Sequence, residues 1–103
     1  MHKLAFFIPE AHLESAKQAV FKAGAGTIGD YKHCCWQTLG QGQFKPMPGS
    51  QPFIGQQDRL EVIDEYKVEM VCDEHILEQV ILALKQAHPF ETPAYEVWKL
   101  ADY

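Results

Sequence analysis

HPFETPAY, His88 to Tyr95, is the stretch whose reading decides the fold. Pro89 has no backbone N–H and disfavours the α region at the residue before it, so a helix running up to Ala87 must stop there. Pro93 then fixes φ at the entrance of a strand expected over Ala94–Leu100. The elbow between them carries an imidazole, His88, and a carboxylate, Glu91, three residues apart. Two readings of this pair stand side by side. A histidine in the last turn of a helix suits the negative end of the helix dipole and caps free carbonyls, leaving Glu91 as a turn residue. Alternatively, the two groups converge on a zinc or copper ion, which needs two or three further ligands from elsewhere.

Towards the N-terminus, Ile76, Leu77, Val80, Ile81, Leu84 and Ala87 form a continuous apolar stripe, with Asp73 as its expected N-cap and Glu74 at the positive dipole end. Arg59–Cys72 alternates with period two. Leu60, Val62, Tyr66, Val68, Met70 and Cys72 share one parity, and Glu61, Glu65, Lys67 and Glu69 the other, which predicts a strand with one buried and one wetted face. The acidic residues Glu61, Asp64, Glu65 and Glu69 are therefore read as a solvated side, not as an acid–base pair. Pro46–Gln57 holds three prolines and two glycines without a useful period and reads as an exposed loop.

In the N-terminal half, Lys3–Ile8 is an apolar strand candidate, and Leu13, Ala16, Val20 and Ala23 recur at helical spacing over Glu10–Ala23. Gly24 and Gly26 close that helix, and Thr27–Asp30 follows as a turn. Gly24, Gly26 and Gly29 spell G-x-G-x-x-G, yet the dinucleotide fingerprint needs a strand before it and a helix after it, the reverse of the order here. Tyr31–Leu39 is an expected strand, with Gly40 and Gly42 punctuating a hairpin into Gln43–Lys45. The full order is β-α-β, a hairpin excursion, then β-α-β. It predicts an α+β ferredoxin-like βαβ-βαβ sandwich with an extra hairpin, two helices lying on one face of an antiparallel sheet. Trp36, Phe44, Tyr66, Tyr95 and Trp98 exceed what two helices can hide, so a homo-oligomer is expected to cover the open face or extend the sheet edges.

A length of 103 residues fits a single domain, 1–103, with one modest core. The apolar fraction of 47% beside 22% charged residues is that of a globular chain. Fourteen acidic against nine basic side chains give a net charge of -5 with no basic cluster, which excludes a nucleic-acid footprint. The apolar run Leu4–Ile8 is too short for a signal peptide, and no run reaches the ~20 residues of a membrane span, so no membrane partner is expected. Three cysteines, two of them adjacent, make no disulfide framework and point to a reducing cytoplasm.

Among further candidate groups, Cys34 and Cys35 are strand neighbours with side chains on opposite faces, which rules out a joint site. His33 shares the parity of Tyr31 and Cys35. His33, Cys34, Glu69 or Glu91 of a second copy would have to complete a metal shell begun by His88 and Glu91, so the metal reading requires oligomerisation. His12 and His75 fall on exposed helix positions. No G-x-S-x-G and no P-loop occurs.

Four motifs, GAGTIGDYKHC (Gly24–Cys34), GQGQFKP (Gly40–Pro46) with PFIG (Pro52–Gly55), EVIDEYKVEMV (Glu61–Val71) and AHPFETPAYEVWKL (Ala87–Leu100), occur in this order. Together they resemble the inserted domain of the YqfO-type proteins, the NGG-one-interacting factor three family. The resemblance implies a fold and a trimeric habit similar to those of the PII signalling proteins and of CutA, the divalent-cation tolerance protein, which is similar at its own histidine-proline-aromatic-glutamate elbow. It does not reach the flanking catalytic-type domain whose histidines and acidic residues hold a dinuclear metal site in two-domain members. The function expected is a non-catalytic oligomeric module of regulatory type, binding a small ligand, a metal or a partner protein. The alternative is an enzyme acting on a small metabolite, with His88 as general base and Glu91 orienting it.

Overall fold

Alternating burial along two central strands organises the molecule, which a computed structural model describes over residues 1–103. Strand β1 (His2–Ile8) leads into helix α1 (Glu10–Lys22), then β2 (Trp36–Phe44) and β3 (Glu61–Cys72). A 3₁₀ turn, Glu74–Ile76, precedes helix α2 (Leu77–Ala87), and β4 (Tyr95–Lys99) completes the chain. The strands lie in the order β2-β3-β1-β4, every neighbouring pair antiparallel. This is the expected α+β ferredoxin-like sandwich.

Leu4, Phe6 and Ile8 of β1 face the helices opposite Met70, Val68 and Tyr66 of β3. They join Leu13, Ala16, Val20 and Phe21 of α1 and Val80 and Leu84 of α2 in one core cluster. Helix α1 ends in a Schellman motif: the Gly24 N–H bonds the Phe21 carbonyl and the Ala25 N–H the Val20 carbonyl, with Gly24 at φ +111°. The G-x-G-x-x-G run is thus a helix stop and a turn, all three glycines having positive φ. Helix α2 ends where Pro89 requires, His88 adopting extended φ/ψ of -77° and 134°.

Four expectations are corrected. Tyr31–Cys35 is irregular, and β2 starts at Trp36 and runs unbroken through Gly40 and Gly42 to Phe44, so there is no separate Gln43–Lys45 strand. The hairpin excursion is the β2–β3 pair itself, whose Glu61–Glu65 end pairs with β2 alone and projects past β1. Leu60 and Val62 share the core parity but lie on this projection, beyond the helices, and are exposed. Asp73 occupies the N-cap position without a side-chain bond to the turn. Finally, Tyr66 and Tyr95 pack on the helix-side core, which leaves Trp36, Phe44 and Trp98 as the aromatic residues of that set on the open face. There Trp36 is 70% and Trp98 42% exposed. Lys3 and Lys67 pair with Glu69 between them, at 3.1 and 3.8 Å.

Candidate functional site

The sequence-predicted site residues separate into two groups at opposite ends of the sheet. His33 and Cys34 sit beyond the C-terminus of α1, where Gly26 N–H bonds the Val71 carbonyl and Cys34 N–H the Gly26 carbonyl. His88 and Glu91 sit beside the other end of β1, where His88 meets Phe7, four residues and about 13 Å along the strand from Lys3, the partner of Val71. His33 is not on a strand: it holds φ +59° and stacks its ring on Phe21 at 4.8 Å. The parity argument for His33 and for the two cysteines therefore does not apply. Cys34 and Cys35 are half-buried free thiols, and burial pushes the Cys72 thiol up. No three His, Cys, Asp or Glu side chains of the chain gather as a metal-holding group. Any metal reading of His88, Glu91, His33 and Cys34 thus draws on more than one copy.

His88 is almost fully buried, and both of its ring nitrogens are engaged. Nε2 lies 2.6 Å from the Phe7 carbonyl and Nδ1 accepts from the Phe90 N–H at 3.2 Å. A neutral ring carrying its proton on Nε2 satisfies both contacts. Burial pushes its pKa down, opposed by the Phe7 hydrogen bond, with a smaller lowering from the neighbouring His12. So the imidazole caps a strand carbonyl, not a helix carbonyl, and clamps the elbow to β1. Glu91 does not orient it. The Glu91 carboxylate instead accepts from the Gln51 backbone N–H at 3.0 Å, across forty residues of sequence. The general-base pairing of His88 with Glu91 is not formed.

That Gln51–Glu91 bond pins the β2–β3 loop onto the elbow. Phe53 of the loop lies edge-on to His12 of α1 at 5.4 Å and 6.3 Å from Phe90. Phe90 is also 6.0 Å from Phe44 and 5.0 Å from His88. Between loop, elbow and sheet is a cavity of about 340 Å³ walled by Phe7, Phe44, Phe53 and Phe90, with Glu65, Glu91 and Lys45 among its polar groups. Its size is at the lower end of the roughly 300–1,000 Å³ of small-molecule sites. Glu65 folds across Gly42, where an added Cβ would collide with its Oε1. Its carboxylate makes no hydrogen bond or ion pair within the chain, and burial pushes its pKa up. The sequence reading placed Glu65 on a solvated face and did not assemble the four phenylalanines. The available signal was a phenylalanine in each of three proline-flanked segments, at 44, 53 and 90.

An α+β module with an aromatic-walled cavity under a folded-back loop is the class that fold and site define. Its similarities to known proteins bear on the fold. The chain is 40% identical over 102 residues, 99% of its length, to the GTP cyclohydrolase 1 type 2 homolog of Halalkalibacterium halodurans, of which it spans 27%. It superposes on a Bacillus cereus protein related to NIF3 with a TM-score of 0.85 and 35% identity, covering 98% of this chain and 26% of that one. It superposes on CutA1 from Pyrococcus horikoshii with a TM-score of 0.72 and 14% identity, covering all of this chain and 86% of that one, a likeness of fold. The chain spans about a quarter of the length of the curated relatives it matches. No family model matches it. The fold is shared with CutA and PII-like proteins, and no helix is long and apolar enough to cross a membrane.

Proposed function

We propose that this chain is a non-catalytic, oligomeric binding module of regulatory type, and that it takes its ligand in the cavity between the β2–β3 loop and the HPFE elbow. The observation that carries this is the Gln51–Glu91 hydrogen bond, which holds a proline-rich loop over a ring of phenylalanines instead of leaving it in solvent. Both ring nitrogens of His88 are committed to the backbone, so the elbow serves as a rigid wall and supplies no proton carrier. The cyclohydrolase in the names of the relatives belongs to proteins nearly four times longer and is not transferred to this quarter.

Residues 1–103 act here as one unit around one core. The exposed Trp36 and Trp98 on the open sheet face, together with the likeness to PII and CutA folds, support a homotrimer that covers that face. Three free cysteines fit a cytoplasmic setting. Chemical-shift mapping of a small-metabolite library on the labelled protein tests the reading. Binders should shift Phe44, Phe53 and Phe90 together with Gln51. A library whose binders all map elsewhere, or a turnover lost on His88 substitution, contradicts it.

A further inference from the structure

We infer that the cavity selects a small organic cation, an ammonium group on an apolar body, with Glu65 as the counter-charge. The inference rests on the binding reading above and specifies the ligand class. Four phenyl rings wall the space, and a cation over such faces gains from their quadrupoles. Within that wall Glu65 presents a half-buried carboxylate with no protein partner. Half-burial takes part of this carboxylate's hydration away, and an ammonium ligand would supply the charge-assisted hydrogen bond that the chain does not.

Gly42 provides the room for Glu65 to lie where it does. A side chain at 42 would lift the carboxylate away, so glycine here is tied to the cavity and not to a turn, its φ lying outside the positive range. Glu91 adds a second carboxylate at the wall, and Lys45, the one cation among the lining residues, is exposed at the rim. An anionic ligand would meet two carboxylates. A hard metal ion would meet phenyl rings where it needs about six oxygen ligands, and no third carboxylate or histidine joins the pair. The net charge of -5 also raises the local concentration of cations.

Titration calorimetry of the full chain with 2-phenylethylamine, 2-phenylethanol and 3-phenylpropionate tests this, with phenylalanine resonances read in parallel. The amine should bind about tenfold or more tightly than the alcohol, and the carboxylate least, since a charge-assisted hydrogen bond is at stake. Glu65→Gln should abolish the preference for the amine while leaving the alcohol's affinity unchanged. Glu65→Asp, which keeps the charge and shortens the reach, should give an intermediate loss and serves if the Gln variant folds poorly. Equal binding of amine and alcohol, or unchanged amine affinity in Glu65→Gln, overturns the cation assignment and leaves the cavity reading standing. If none of the three probes moves Phe44, Phe53 or Phe90, both readings fall.

Discussion

Replacing His88 by alanine tests the clamp on which the elbow depends. The substitution removes the hydrogen bond to the Phe7 carbonyl and the acceptor for the Phe90 N–H, and leaves a void where a buried ring was. Each hydrogen bond contributes about 1 kcal/mol net, and orphaned buried groups and the cavity add to that, so a loss of about 2–4 kcal/mol is expected. For a domain of this size that lowers Tm by roughly 10–25 °C at fixed protomer concentration. Urea unfolding gives the free energy directly, and His75→Ala, on an exposed histidine, should stay within about 0.5 kcal/mol. The pH dependence has a definite sign. The folded pKa of His88 lies below its unfolded value near 6.5, so its contribution is complete above about 6.5 and is lost as the pH falls from there through the folded pKa. In His88→Ala this part of the acid slope should vanish. A cost below about 1 kcal/mol, or an unaltered slope, would refute the assignment of His88 as a neutral structural clamp.

Other consequences are open to similar checks. Gly26→Ala meets both a positive φ of 78° and the Cys34 carbonyl at 2.8 Å, so it should cost more than about 1 kcal/mol by thermal melting. Gly40→Ala meets nothing within 4 Å at ordinary φ and should stay within about 0.5 kcal/mol, and a larger loss there would contradict the continuous β2. Glu91→Ala unpins the loop at Gln51, and limited proteolysis between residues 46 and 58 should speed up about fivefold, the effect of roughly 1 kcal/mol. Unchanged cleavage would mean that the loop is held by its phenylalanines alone. Trp36→Glu should shift the mass seen by light scattering from about three times 11.7 kDa towards a single protomer. A wild-type chain already at 11.7 kDa would remove the oligomer from the proposal.

Much of the fold was legible because its elements obey simple periods. The stripe Val80–Leu84–Ala87, the alternation Val68–Met70–Cys72 and the proline stop after Ala87 each fix a secondary structure by local sterics and burial. Strand β2 was legible only in pieces, Trp36–Leu39 and Gln43–Phe44, without its continuity. Gly40 and Gly42 read as breakers, but β3 supplies the ladder, and Gly42 is where the Glu65 side chain crosses the strand. Burial also departs from parity at Val62 of β3 and at Leu60 just before it, because alternation reports which face a residue shares and not how far the helices extend over it.

The candidate site was legible only as an address. HPFE marked the elbow, and His88 and Glu91 do lie on it, but their partners, Phe7 and Gln51, are 81 and 40 residues away. No local pattern encodes such pairings. Glu65 looked like one more wetted acid on an alternating strand until loop and elbow closed over it.

Hydrogen exchange at the Gln51 amide tests the central claim most directly, because that one bond distinguishes a loop seated on the elbow from a loop in solvent. In the free protein it should exchange more slowly than its loop neighbours Gln56 and Gln57. With a bound ligand the amides of 45–60 and of 88–94 should slow together. Fast exchange at Gln51, or ligand protection of one segment without the other, would contradict a cavity built jointly by the two.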